Sequence, residues 1–224
     1  MGQAIGDLLP TALGVALSPV PIIAVILILG TPKARSNGPA FAFGWVVALV
    51  VVSTVVVLFS GDADDPDSGT STTLATVELL LGVVFFFMAS KQWRGRPKPG
   101  QEAPMPKWMA TVDAFTPGKS LVLGGALAGA NPKNLALTLA AAASIARAGL
   151  NGGETAVAIA VFVVIGSLTV AGPVLYYVFA GDNAAGPLAT MKVFMSEHNA
   201  VIMMIVLLVL GAKLLGSGIA GLSD

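Results

Sequence analysis

Two short polar motifs interrupt long apolar stretches of the chain. Ser18-Pro19-Val20-Pro21 lies in the first stretch, and Asn131-Pro132-Lys133-Asn134 lies in the fourth. Proline removes a helical hydrogen bond and clashes with the preceding turn, so both motifs predict a broken helix with free carbonyls and helix ends. The lining of a buried polar site is therefore predicted to be Ser18, Pro19, Pro21, Asn131, Pro132, Lys133 and Asn134.

Lys133 gives this predicted site its chemistry. A lysine at the centre of a bilayer costs at least about 2.5 kcal/mol, so we expect its side chain to face the interior of a helix bundle. There it would attract an anionic group of a substrate or a carboxylate. Helix N-termini at the two breaks would add partial positive charge.

A second pair of charges lies near the ends of two other apolar stretches. Glu78 is about five residues inside the third stretch, and Lys213 is about six residues before the end of the sixth. We expect the two at similar depth, as an ion pair or a gate; independent snorkelling toward the interface is the alternative.

Several classes of function are excluded or disfavoured by what the sequence lacks. The chain has no cysteine, so disulfides and thiolate metal sites are excluded. There is no nucleophile motif, no phosphate-binding loop and no carboxylate pair within a stretch, so we expect neither an enzyme nor a bound cofactor or metal. With 12 basic and 12 acidic residues, the chain is not expected to bind nucleic acid.

The elements that must position these residues are membrane-spanning helices. Of the 224 residues, 55% are hydrophobic and only 11% are charged, against about 25% in a soluble domain. Six apolar stretches are long enough to cross a hydrocarbon core, which takes about 20 helical residues. They are 8–30, 39–60, 73–92, 119–147, 154–180 and 198–219, with His198 as a cap of the last.

The order of these stretches repeats. Ser18-Pro19 in the first corresponds to Asn131-Pro132 in the fourth, and the Leu-rich run ending at Gly82 corresponds to the one ending at Gly211. Because three spans separate the equivalents, the second half must cross the membrane in the opposite sense, as in many secondary transporters. The predicted fold is therefore an all-α polytopic membrane domain of two inverted three-helix repeats, 1–92 and 119–224, joined by a central cytoplasmic loop, 93–118.

The distribution of charge predicts the orientation. Basic residues concentrate around the central loop, whereas the loop after the second span carries only acidic residues. Since cytoplasmic loops are enriched in Lys and Arg, we expect the central loop inside and both termini outside. The basic residues are Lys91, Arg94, Arg96, Lys98, Lys107 and Lys119, and the acidic ones are Asp62, Asp64, Asp65 and Asp67.

The motifs also carry a resemblance. Around Ser18-Pro19-Val20-Pro21, Asn131-Pro132-Lys133-Asn134-Leu135, Gln92-Trp93-Arg94 and Pro106-Lys107-Trp108-Met109, the chain resembles the sulfolipid-addressing proteins over nearly its whole length. That family, also called glycolipid or peptidoglycolipid addressing proteins, sits in the lysine exporter superfamily. The resemblance implies six spans in a bacterial inner membrane and a part in moving cell-envelope glycolipids outward.

The expected function is that of a transporter or flippase-like exporter of cell-envelope glycolipids or related lipids. Its expected partners are membrane lipids, with a homodimer or a lipid synthase as further partners. Two alternatives stay open: a small-solute exporter of amino acids or ions with the same fold, and a non-transporting accessory subunit of a lipid export assembly. A lipid path predicts a lateral opening between helices, and a small solute predicts an enclosed polar cavity.

Overall fold

The computed structural model describes residues 1–60, 70–96 and 107–223, and within these ranges it contains helices and no strands. The acidic loop and part of the central loop lie outside the described residues. A 3-10 turn, Lys107–Ala114, precedes the second half, and another, Gly181–Ala184, follows α7. The helices are α1 (Gly2–Ala16), α2 (Pro19–Leu29), α3 (Ala34–Ser60), α4 (Thr70–Arg94), α5 (Pro117–Gly129), α6 (Pro132–Arg147), α7 (Gly152–Ala180) and α8 (Ala185–Ser223).

Length and hydropathy identify a helical membrane protein. Within the described residues, three helices are long and apolar enough to cross a membrane: α3, α7 and α8. The pair of α1 and α2 also passes this test when taken together, bent by 52° at the break between them, which brings the number of crossings to four.

The proline motifs interrupt the helices where the sequence predicts. Ser18 and Asn131 have extended backbones, as residues before proline prefer, and Pro19 and Pro132 begin the next helices. Proline is well suited to a first helical position, because that N–H has no partner within the helix anyway. The two motifs therefore end one helix and start another.

The exposure of large aromatic side chains distinguishes the interior from the periphery. Phe41, Trp45 and Phe162 are completely buried, whereas Phe59 and Phe179 are more than four-fifths exposed. Apolar side chains on the outside suit a protein whose solvent there is hydrocarbon. The most enclosed helix is α2, in which nine of the 11 residues are buried.

Glycines set the closest helix crossings. A β-carbon at Gly124 of α5 would collide with the carbonyl oxygen of Phe41 in α3, and one at Gly44 of α3 would collide with that of Leu121. In the crossing of α4 and α8, a β-carbon at Gly211 would lie 3.2 Å from the carbonyl oxygen of Gly82. Small residues let the backbones approach this closely, and both crossings join the first half of the chain to the second.

The sixth stretch differs from expectation. The chain was expected to form a connection up to residue 197 and a span from 198 to 219, but α8 is one helix of 39 residues. Pro187 does not prevent an earlier start, because it lies in the first turn of the helix, where its missing N–H leaves no bond unmade. His198 is consequently inside the helix and not at a cap, and its ring stacks on Phe194 at 4.4 Å.

Candidate functional site

The two helix breaks meet through their side chains. The Nζ of Lys133 donates to the Oγ of Ser18 at 2.7 Å, and that hydroxyl donates in turn to the Oδ1 of Asn134 at 2.7 Å. The Nδ2 of Asn134 then donates to the carbonyl of Leu127 at 2.9 Å. Ser18, Lys133 and Asn134 are all buried. The structure thus joins residues 116 positions apart into one hydrogen-bonded chain, in which each bond polarises the next.

The break between α1 and α2 supplies further acceptors near these hydrogen bonds. A helix end leaves its last carbonyls without partners, and in a membrane these need other donors. Lys133 also donates to the carbonyl of Leu17 at 3.4 Å, and the hydroxyl of Thr169 donates to the carbonyl of Ala16. The partial negative charge at the end of α1 therefore stabilises the ammonium group.

All the acceptors of the Lys133 ammonium are neutral. Besides Ser18 and Leu17, it contacts the sulfur of Met203 at 3.8 Å. Within the described residues the one ion pair is elsewhere, and no cluster of His, Asp or Glu is arranged to hold a metal. A buried cation stabilised only by dipoles retains the capacity to attract an anion.

The remaining predicted residues of the site shape it. Pro19 and Pro21 are buried in the first turn of α2. Asn131 is half-buried, and its Oδ1 accepts from the backbone N–H of Lys133 at 3.1 Å, which caps α6. Pro132 is exposed, so it starts the helix while its ring points away from the buried chain of hydrogen bonds.

A cavity of about 510 Å³ lies between α1, α4, α6 and α8. This volume is in the range of small-molecule sites, roughly 300 to 1,000 Å³. Its walls combine apolar side chains with both signs of charge. Its lining includes Asp7, Thr11, Glu78, Phe85, Leu137, Arg147, Leu210 and Lys213.

Glu78 and Lys213 both line this cavity, but each has a different partner. Arg147 forms an ion pair with Glu78 at 2.8 Å, and Lys213 donates to the backbone carbonyl of Asp7. The direct Glu78–Lys213 pair expected from the sequence is thus absent from the ion pairs of the described residues. Both residues line one cavity, and their similar depth in the membrane stays a prediction.

A second cavity, of about 620 Å³, lies at the other end of α8. Of the helices around the first cavity it shares only α8: it is formed by the end of α2, the end of α7 and the start of α8, and Asp113 and Lys192 are among its lining residues. On α8, Met203 at the polar site is 11 residues from Lys192 and 10 residues from Lys213 of the first cavity. At about 1.5 Å per residue, the polar site lies roughly halfway between the two cavities.

A tight apolar layer separates the first cavity from the polar site. A β-carbon at Gly14 would lie 2.9 Å from Leu210 and 3.0 Å from Leu137, the two leucines that also line the cavity. Gly14 is four residues, about one helical turn, before Ser18. The cavity therefore ends about one turn short of the hydrogen-bonded chain.

Sequence reasoning missed two participants. Arg147 follows Lys133 by 14 residues, close to four helical turns, so the spacing alone places both on nearly one face of α6. That signal was available. No sequence signal pointed to Met203, because its proximity to Lys133 depends on how α8 packs against the break.

Comparison with known proteins identifies a family for the chain. Residues 8–220 match the family described as Sap, sulfolipid-1-addressing protein. No curated protein and no solved structure shows a significant match. Because the match covers nearly all of the 224 residues, the chain belongs to the sulfolipid-1-addressing protein family.

Proposed function

We propose that the protein exports cell-envelope glycolipids or related lipids across a bacterial inner membrane, as a transporter or flippase. The family name supports a role in addressing a lipid. The residues that meet the head group in transit are those of the break: Ser18, Lys133 and Asn134.

One observation carries this proposal: the buried ammonium of Lys133 lies between two cavities and has only neutral partners. Charged residues inside a membrane are costly and usually mark a pathway. The hydrogen-bonded chain stabilises the ammonium while the site is empty. An anionic head group arriving from either cavity would replace the hydroxyl of Ser18 as its partner.

The packing supports the further proposal of six spans in two inverted repeats. In that scheme α1 to α4 of the first half correspond to α5 to α8 of the second. The contact between α3 and α5 then has its counterpart between α7 and α1, and both pairs pack in the structure. Gly82 and Gly211 are equivalent residues that approach each other, as expected near a two-fold axis.

Alternating access follows from an asymmetry in this scheme. α2 packs against α8, but the equivalent helices, α6 and α4, share no extended interface among the described residues. If α6 packed against α4 while α2 separated from α8, one side of the protein would close and the other would open. With the termini outside, as the basic central loop indicates, the cavity at Lys213 opens outward.

Lipid translocation in proteoliposomes tests the role of Lys133. Fluorescent glycolipid and anionic phospholipid analogues are incorporated, and the fraction that reaches the opposite leaflet is measured by dithionite quenching. Lys133→Met keeps an unbranched side chain only one atom shorter and removes its charge, so we expect at least a tenfold loss of rate. Lys33→Met, which removes an exposed cation, is the matched control and should retain the wild-type rate.

The outcomes separate the proposal from its alternatives. An unchanged rate in folded Lys133→Met protein would remove Lys133 from the site. Transport of amino acids or ions in place of lipids would support a small-solute exporter. If wild-type protein moves no substrate, and changes in Lys91 to Lys119 abolish lipid export in cells, the accessory-subunit alternative is correct.

A further inference from the structure

The first cavity has one weakly closed wall. Its other helices pack closely, since α4 crosses α8 at Gly82 and α1 contacts both α6 and α8. Between α4 and α6 the described residues form no extended interface, and the ion pair of Glu78 with Arg147 links the two helices. We call the space between α4 and α6, from that ion pair toward the centre of the membrane, the lateral gap.

The residues of α6 explain why the gap is open. Ala136, Ala140, Ser144 and Ala148 recur at every fourth position and all line the cavity. All four side chains are small. On the other wall, Phe85 is buried against the cavity while Phe87 is 70% exposed on the outer surface of α4. The cavity is thus lined by small side chains on the α6 side and by the ring of Phe85 on the α4 side.

Two acidic side chains, Asp7 and Glu78, and two basic ones, Arg147 and Lys213, line the cavity, and the basic pair is the candidate for binding an anion. Lys213 donates only to the neutral carbonyl of Asp7 and forms no ion pair among the described residues. Arg147 is already paired with Glu78, yet 44% of its side chain remains exposed. A guanidinium group can bind a second oxyanion through its free N–H groups, because it carries five donors. Lys213 and Arg147 line the same cavity, and both therefore have donors available for an anionic group there.

We propose that a lipid with a phosphate or sulfate head group passes sideways between this cavity and the bilayer through the gap between α4 and α6. Its head group binds Lys213 and Arg147, and one acyl chain lies along the small residues of α6. The direction of movement rests on the proposed function, but occupancy of the cavity does not require Lys133. The ion pair of Glu78 and Arg147 acts as the latch across the gap.

Photolabelling in nanodiscs tests this occupancy. Two probes carry a diazirine in the acyl chain and differ only in head group: phosphatidylglycerol and phosphatidylcholine. Mass spectrometry should find adducts on Leu81, Phe85, Ala140 and Ser144 at least threefold more often with phosphatidylglycerol. Adducts on the outward-facing Phe43 and Val51 of α3 should be equal for both probes and provide the internal reference.

Two variants test the head-group contact. Lys213→Gln should reduce the preference for phosphatidylglycerol to near parity at the cavity residues, whereas Lys192→Gln, at the other cavity, should not change it. An excess of soluble glycerol phosphate should leave the labelling unchanged if the ligand is a lipid. Displacement by glycerol phosphate would show a site for free anions and overturn lateral access.

Closing the gap tests the route. The chain has no cysteine, so Glu78→Cys with Arg147→Cys provides one defined pair. A bismaleimide that bridges the pair should abolish labelling inside the cavity when it is added before the lipid, and N-ethylmaleimide on the same variant should not. Equal cavity labelling after both reagents would overturn the lateral route.

Failure of this proposal is distinguishable from failure of the proposed function. Lys133→Met should retain cavity labelling even though it loses transport. Cavity residues free of adducts in wild-type protein, with normal labelling of α3, would refute the lipid site and leave the transport measurement to decide the function by itself.

Discussion

Ser18 is the residue on which the polar site depends most. It occupies an N-cap position, but its hydroxyl does not cap α2. It accepts from Lys133 and donates to Asn134, so it is the one group that connects the cation to the amide. The cost of burying Lys133 is therefore offset partly by a residue from the other half of the chain.

Replacing Ser18 tests this dependence. Ser18→Ala removes the nearest acceptor of a buried ammonium, so we expect a loss of about 1 to 3 kcal/mol in the free energy of unfolding. Thr11→Ala, which removes a buried hydroxyl bonded to a carbonyl of its own helix, should cost less. The measurement is thermal or denaturant unfolding in detergent.

A double variant provides the check on mechanism. In Ser18→Ala with Lys133→Met no buried charge remains, so the two losses should not add. Additive losses would show that Ser18 contributes independently of Lys133.

Part of this site could be predicted from the sequence. The cost of a charged group in hydrocarbon is independent of the fold, so an inward-facing Lys133 could be expected from its position alone. Its partners could not, because bonds between residues more than 100 positions apart depend on the crossing of helices. The same reason explains why the sequence offered Lys213 as one possible partner of Glu78, while the structure pairs Glu78 with Arg147.

At the scale of elements, prolines and glycines have distinct tasks. Pro19 and Pro132 start the second halves of the two broken helices, and the glycines fix where intact helices cross. Gly125 and Gly129, whose spacing is common at helix interfaces, lie beside Gly44 and Ala48 of α3. This spacing is thus used for a contact within the chain.

The crossing of α3 and α5 should respond sharply to one methyl group. Gly124→Ala places a β-carbon against the backbone of Phe41, which cannot yield as a side chain can. We expect a destabilisation of about 1 to 3 kcal/mol. At Gly172 of α7 a β-carbon meets no atom within 4 Å, so Gly172→Ala should be neutral or slightly stabilising. Equal stability of the two variants in denaturant unfolding would contradict the crossing.

Helix positions were more predictable than helix ends. Each of the six apolar stretches falls on helix, and both breaks lie at the expected prolines. The start of α8 was not predicted, because Lys192, Glu197 and His198 have the composition of a loop. Apolar neighbours in the same turns, such as the buried Leu188, nevertheless give that segment a packing face.

At the scale of the whole molecule, the two halves interleave. α3 packs on α5, α4 on α8 and α1 on α7, so the largest helix contacts cross between halves. Neither half encloses the polar site alone, since Ser18 belongs to the first and Lys133 to the second. Motion of one half against the other would therefore change both cavities together.

Orientation can be measured with single cysteines, since the chain has none. In intact cells or spheroplasts, a membrane-impermeant maleimide should label Asp65→Cys and spare Ser36→Cys until the membrane is opened. The physical reason is the concentration of Lys and Arg on the side of Ser36. The reverse pattern would place the termini inside and turn the cavity at Lys213 toward the cytoplasm.

The glycine contact between α3 and α5 also has a consequence in time. Gly124 follows Gly44 by 80 residues in the chain. At about 5 to 20 residues per second, a ribosome needs roughly 4 to 16 s to add the second surface after the first. During that interval the surface of α3 around Gly44 lacks its partner α5 and faces lipid or the insertion machinery. The contact between α3 and α5 can therefore form only after the ribosome has synthesised α5.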